Sequence, residues 1–254
     1  MIPKVVHYCW LSNDPYPENI AACIESWKKY LPDYEFVKWD FNRINKNDYK
    51  WVSQAFDCKK YAFAADYIRA YAIYNYGGIY LDSDVEVIKS FDDLLVHPYF
   101  MGCEFNKKSP EAAVIGAEKG HPFFKKLLQY YEGREFVKKD GTLDRRTLPS
   151  IFREIIDTDF CECQINNPGD IDDADTSKIC ILPYHFFSPK STINGKIYKT
   201  GETYAIHHFA NTWFPKYYVI ERKIWHKLGM KNLKICLRLV NLFKHGTLHA
   251  KIID

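Results

Sequence analysis

The stretch Gly77-Gly78-Ile79-Tyr80-Leu81-Asp82-Ser83-Asp84 narrows the fold more than any other part of this 254-residue chain. A helical pattern runs into two glycines, a short apolar strand follows, and the strand ends in two carboxylates one residue apart. Alternate residues of a strand point the same way, so both carboxylates can face one ligand. Two neighbouring anions repel each other, and a divalent cation, hydrogen-bond donors or open water must offset that repulsion. Hard cations such as Mg²⁺ and Mn²⁺ prefer oxygen ligands, and one held by so few protein oxygens keeps positions open for phosphate. An isolated Asp-x-Asp is ordinarily a turn after a strand, so the surrounding chain must decide whether Asp82 and Asp84 form a metal-nucleotide site.

The surroundings read as α/β. Val5 to Trp10 is an apolar, β-branched and aromatic run expected to form a buried strand. Helical periodicity in Ile20, Cys23, Ile24 and Trp27 stops before Pro32, and Tyr34 to Trp39 reads as a second strand. In such β-α-β openings ligands bind beyond the carboxyl ends of the strands, which places Trp10 where it either stacks on a base or caps the core. Trp51 to Asn75 is helical, with a break expected near Asp57-Cys58, and Asp66 and Arg69 lie three apart on one face. Further strands are expected at Val85 to Val87, Tyr99 to Cys103, Ala112 to Ile115, Ile179 to Phe187 and Tyr204 to His208. Helices are expected from His121-Pro122 and over Pro149 to Ile156. Ser188 to Gly201, with Lys190 and Lys199, reads as a polar loop able to close over phosphates. His207 and His208 sit at a strand end, and because adjacent strand residues face opposite ways, one of them is expected to reach a metal.

Charge divides the chain. The stretch Glu221 to Asp254 holds eight of the 35 Lys and Arg residues and, between its ends, no acid, so the other 27 face nearly all of the 32 acids. Residues 1–220 are therefore expected to form the main domain and 221–254 a basic amphipathic helical tail, packed on the domain or lying on an anionic membrane surface. No apolar run reaches spanning length, and Met1-Ile2-Pro3-Lys4 leads directly into the first strand pattern without a leader's apolar region. The expectation is a cytoplasmic protein, peripheral on the inner face of the cell membrane, with its eight cysteines as thiols. Cys161-x-Cys163, with Cys180 and His185 downstream, could ligate zinc but lacks the paired Cys-x-x-Cys spacing, so the cysteines are read as buried free thiols.

Four pieces in this order resemble glycosyltransferase family 32, the DXD sugar-binding group that includes bacterial capsular polysaccharide enzymes and is related to the clostridial glucosylating toxins. They are Ile2-Pro3-Lys4-Val5-Val6-His7-Tyr8-Cys9-Trp10, Ala65-Asp66-Tyr67-Ile68-Arg69, the Gly77 to Asp84 stretch, and Tyr204-Ala205-Ile206-His207-His208-Phe209-Ala210-Asn211-Thr212-Trp213. The resemblance implies a GT-A fold, a Rossmann-like nucleotide-sugar-binding α/β architecture, with a Mn²⁺ or Mg²⁺ cofactor and retention of anomeric configuration. It also implies that Trp10 stacks on the base, that Asp66 binds sugar hydroxyls and that Arg69 contacts sugar and phosphate. Tyr80 would line the donor site, Asp82 would touch ribose and metal, and Asp84 would be the principal metal ligand. His208, in preference to His207, would complete the metal shell, while Asn211 and Trp213 would contact the diphosphate or donor sugar. Leu11-Ser12 and Asn211-Thr212-Trp213 depart from a glycine turn and a Gly-Ser-Trp in relatives, and neither departure removes a metal ligand.

The implied reaction moves a hexose from a nucleotide sugar, with UDP-galactose, UDP-glucose or an N-acetylated form preferred, to a saccharide acceptor, expected to be a lipid-linked oligosaccharide of surface polysaccharide synthesis. No nucleic-acid partner is expected. Two other readings compete. A nucleotidyltransferase also arranges Asp-x-Asp around metal and triphosphate but would want a third carboxylate on a neighbouring strand. A non-catalytic membrane or polysaccharide-binding module would leave the two carboxylates merely exposed.

Overall fold

A computed structural model describes residues 1–210 except 13, 106–108 and 172–174. The tail at 221–254, and with it Asn211 and Trp213, lies outside the described residues.

The α/β expectation is borne out. Strand β1 (Val5–Cys9) leads to helix α1 (Glu18–Tyr30) and strand β2 (Glu35–Trp39), and β2 returns parallel to β1 with Val5 opposite Glu35. The helical region splits where the sequence breaks, into α2 (Lys50–Asp57) and α3 (Tyr61–Tyr76). Helix α3 is apolar on most sides, and nine of its residues, including Asp66 and Arg69, are buried. An amphipathic helix covers one face of a core, whereas one buried on this many sides is packed within it. It delivers the chain to β3 (Gly78–Leu81), which lies parallel to β1 with Val6 opposite Ile79.

The α3–β3 junction depends on its two glycines. Gly77 has φ +69° and Gly78 φ +103°, a region that side chains with a Cβ avoid. A Cβ on Gly78 would stand 2.6 Å from the Val5 carbonyl oxygen. This close approach lets β3 enter directly beside β1 and carries Asp82 and Asp84 to the carboxyl end of the parallel strands.

After the short strand β4 (Val85–Val87), β5 (Tyr99–Cys103) and β6 (Pro110–Ala117) complete the sheet in the order β2-β1-β3-β6-β5. Strand β6 runs antiparallel to β3, pairing Leu81 with Val114, and all eight of its residues are buried. Helices α4 (Pro122–Tyr131) and α5 (Leu148–Asp159) follow. Strand β7 (Cys161–Gln164), absent from the sequence reading, pairs parallel with β8 (Lys178–Ile181), which places Cys163 opposite Cys180. Pro183 sits just past β8, which is shorter than the strand expected through Phe187. Strand β9 (Ala205–His207) returns to pair antiparallel with β4, and this pairing brings His207 to the two aspartates.

Candidate active site

Asp82 follows β3 directly, and its backbone N–H donates to the Ala113 carbonyl at 2.9 Å, extending the β3–β6 pairing by one residue. The chain then turns, with Val85 N–H donating to the Asp82 carbonyl at 3.0 Å. The two carboxylates are therefore presented by a turn and not by an extended strand end. They converge nonetheless, and one ligand atom from each of Asp82, Asp84 and His207 lies within 4.8 Å of the others.

Each member is held by a different part of the fold. Arg69, 4% exposed on α3, donates from Nη2 to Asp82 Oδ1 at 2.8 Å and from Nη1 to the Ala112 carbonyl. Its guanidinium lies 4.3 Å from the Tyr80 ring centre and 3.6 Å from Asp66. Asp84 Oδ2 accepts from the Ala210 N–H at 2.7 Å, a contact between residues 126 apart in the chain. Phe209, with φ +51°, turns the backbone that presents this donor. His207 lies between two carboxylates, with Nε2 3.5 Å from Asp84 Oδ1 and Nδ1 2.9 Å from Glu111 Oε1. Glu111, 3% exposed on β6, also accepts from the Ser188 hydroxyl.

The electrostatics follow from this arrangement. Burial disfavours the charge on Asp84, but His207 and the Ala210 N–H overcome that penalty and hold the carboxyl down to about 2. Burial raises Asp82, against the opposing pull of Arg69. Desolvation lowers the proton affinity of His207, yet Asp84 and Glu111 together keep it well above the ordinary imidazole range. Burial lifts Asp66 to about 7, with Arg69 opposing. The site thus pairs an ionised carboxylate at Asp84 with a carboxyl at Asp66 that carries its proton for part of the time near neutrality.

The expected residues do not all fall where the sequence reading put them. His207 and His208 part to opposite sides, but it is His207 that joins the aspartates. His208 turns away, its Nε2 2.8 Å from Glu86 Oε2, while its backbone N–H donates to the Asp84 carbonyl at 3.0 Å. The register of β4 with β9, which pairs Val85 with His207, makes this choice, and it is not written in either strand's sequence alone. Tyr80 is 1% exposed and lies beneath Arg69, supporting the floor of the site and not lining it. Trp10 is half-buried just beyond β1, its indole N–H donating to the Asp14 carbonyl at 2.8 Å and its ring edge-on to Tyr16 at 4.9 Å. Glu111 was not anticipated. Its one signal in the sequence is an acid within the otherwise apolar run Pro110 to Ala117.

The described donor set of two carboxylates and an imidazole could hold a divalent metal ion. Glu111 on the far nitrogen of His207 is the kind of outer carboxylate that fixes the tautomer of a metal-binding histidine.

Residues 17–101 match the family described as the glycosyltransferase sugar-binding region containing DXD motif. Among curated proteins, inositol phosphoceramide mannosyltransferase 3 of Schizosaccharomyces pombe is 34% identical over 135 residues, which is 50% of this chain and 36% of the relative. This chain therefore spans little more than a third of that protein. An uncharacterized glycosyltransferase, L373, of Acanthamoeba polyphaga mimivirus is 25% identical over 228 residues, 85% of each chain. Among solved structures, the PaToxG glycosyltransferase is 20% identical and covers 61% of this chain and 69% of its own, with a TM-score of 0.44.

Proposed function

We propose that this chain, whose residues 17–101 carry the DXD sugar-binding region of glycosyltransferases, transfers a hexose from a nucleotide sugar to a saccharide acceptor with metal dependence and retention of configuration. The observation that carries the reading is the convergence of Asp82, Asp84 and His207 at the carboxyl end of the parallel strands. Ligands of open α/β sheets bind at this end.

In this reading Asp82, Asp84 and His207 hold the cation. When bound, it neutralises the negative charge that develops on the departing diphosphate. The protein's own contribution is positioning. Arg69 fixes Asp82, the Ala210 N–H and His207 fix Asp84, and Glu111 fixes His207, so that the three ligand groups need little rearrangement when the donor arrives. Asp66, with its raised proton affinity, serves a sugar hydroxyl either as acceptor or as donor. Trp10 flanks the base, and Asn211 and Trp213 complete the donor site from beyond the described residues. Glu111 is occupied by His207 and Ser188, and same-face attack by the acceptor fits retention. The same occupancy of Glu111 weighs against a nucleotidyltransferase, which would want a third carboxylate at the metal.

The name of the S. pombe relative adds activated mannose to the candidate donors UDP-galactose, UDP-glucose and their N-acetylated forms, and a lipid-linked acceptor remains the preferred class. The enzyme would work at the inner face of the cell membrane in surface polysaccharide or glycolipid synthesis, with 221–254 as a basic tail. The test is hydrolysis of a panel of nucleotide sugars with Mn²⁺ or with a chelator. Sugar release from one donor that requires the cation and is lost in Asp84→Asn is expected, and no release or transfer from any donor would overturn the reading.

A further inference from the structure

We propose that the hairpin of residues 188–199 is a docking tip that seats the mouth of the site on a bilayer carrying anionic headgroups. The hairpin is well built. Lys190 bridges Ile197 antiparallel, Ser191 N–H donates to the Lys196 carbonyl at 2.8 Å, and Tyr198 N–H donates to the Pro189 carbonyl at 2.9 Å. At its turn the Ser191 hydroxyl, itself 2% exposed, accepts from the N–H groups of Ile193 and Asn194 at 3.2 and 3.3 Å, and Gly195 takes φ +71°. Every one of these features belongs to an ordinary solvated turn except the side chains that it presents.

Ile193 is 67% exposed, Ile197 43% and Tyr198 42%. They make up half of the large apolar side chains exposed among the described residues, gathered within six positions. Scattered exposed apolar residues need no explanation, but a cluster on one hydrogen-bonded turn marks an interaction surface. Its charge says which kind. Residues 188–201 contain three lysines and no acid, and Lys196 and Lys199 are exposed beside the isoleucines. A basic, apolar-tipped hairpin repels the equally basic stretch from Arg222 to Lys251, which argues against the chain's own tail as its cover. It complements an anionic lipid surface, into which apolar side chains insert while lysines remain at the headgroups.

The base of the hairpin is tied to the site. Ser188 donates to Glu111, the carboxylate behind His207, and Lys190 Nζ donates to the His208 carbonyl at 2.8 Å. A tip held in the lipid surface therefore fixes the height of the site above it and delivers the mouth to a lipid-anchored acceptor. The lipid-anchored acceptor rests on the proposed reaction, whereas partition onto vesicles is read without nucleotide and tests the docking by itself.

The test is cosedimentation of the full chain with phosphatidylcholine vesicles and with vesicles containing about 30% phosphatidylglycerol, at low and high salt. Binding to the anionic vesicles, weakened by salt, is expected, with I193S/I197S reducing the partition coefficient about tenfold and K196E also reducing it. Both variants should keep the wild-type melting temperature, since the altered side chains are exposed, and K196E gives the same reading if the double change disturbs the turn. Wild type that ignores both vesicle types would overturn the proposal. So would variants that bind like wild type, whether because another segment holds the membrane or because the tip serves a soluble saccharide instead.

Discussion

At the scale of single residues, the carboxylates differ in what their removal should do. Asp84 is not merely an exposed acid at a turn, because the structure gives it a backbone donor at 2.7 Å and a neighbouring imidazole. Asp84→Ala would strand the Ala210 N–H and leave His207 with one carboxylate, a loss of about 1–3 kcal/mol. Asp84→Asn keeps an acceptor for that N–H and removes only the charge. Turnover at least ~100-fold lower is the expected outcome, with a melting temperature that falls less than in Asp84→Ala because the N–H keeps its acceptor while the attraction to His207 is lost, checked by donor hydrolysis beside thermal unfolding. Glu111→Gln acts one step further out. It keeps the buried volume but no longer anchors His207 as an anion, so Mn²⁺ affinity should fall about 10–100-fold in a metal titration followed by calorimetry. Unchanged affinity would reduce Glu111 to a structural partner of Ser188. Glu111 also marks where sequence reading ended. Asp66-x-x-Arg69 was legible because helical spacing puts both side chains on one face, and Asp82 and Asp84 were legible as a pair although a turn and not a strand end presents them, whereas Glu111 and the choice of His207 depend on pairings between distant strands.

At the scale of elements, two junctions carry predictions. Gly78 sits where β3 meets β1, with φ +103° and no room for a Cβ against the Val5 carbonyl. Gly78→Ala combines a strained backbone with a backbone clash and should destabilise the protein by at least ~2 kcal/mol in denaturant unfolding. Helix α4 is capped by His121, whose Nδ1 accepts from the Phe123 N–H at 3.3 Å and whose ring packs 4.8 Å from Tyr99. Burial pushes this imidazole down to about 4. Because its folded proton affinity is depressed, the unfolded chain takes up a proton first as pH falls below about 6.5, and stability is lost from there down to about 4. The loss should reach about 2 kcal/mol by pH 5. His121→Asn keeps a capping acceptor that does not titrate in this range, so the difference between variant and wild type isolates the effect. Equal slopes of stability against pH in the two proteins would show that His121 does not titrate this way. The elements themselves were mostly legible, since β1, α1, β2, the split helix and β5 follow from periodicity and breakers. Strand β7 was not, because Cys161-x-Cys163 reads as thiol chemistry until β8 is seen beside it.

At the scale of the whole molecule, the site is assembled from segments that meet only when the fold is complete. Asp82 and Asp84 follow β3, Arg69 comes from α3, Glu111 from β6, and His207 from β9. A ligand bound there contacts the folded state and finds no equivalent set in the unfolded chain, so its binding free energy adds to the stability of the whole domain. At a free concentration of about 100 times its dissociation constant, a nucleoside diphosphate with Mn²⁺ should stabilise the protein by ~2.7 kcal/mol. For a domain of about 200 residues this raises the melting temperature by roughly 5–11 °C, taking 2–4 °C for each kcal/mol. The shift should require cation and nucleotide together, because neither alone satisfies both the carboxylates and the phosphates. It should also be selective for the base of the donor that supports hydrolysis. Asp84→Asn is expected to lose the joint shift, measured against its own ligand-free melting temperature, which separates a damaged site from a damaged fold. A shift with nucleotide that is equal in chelator would place the nucleotide elsewhere on the molecule and remove Asp82, Asp84 and His207 from its binding.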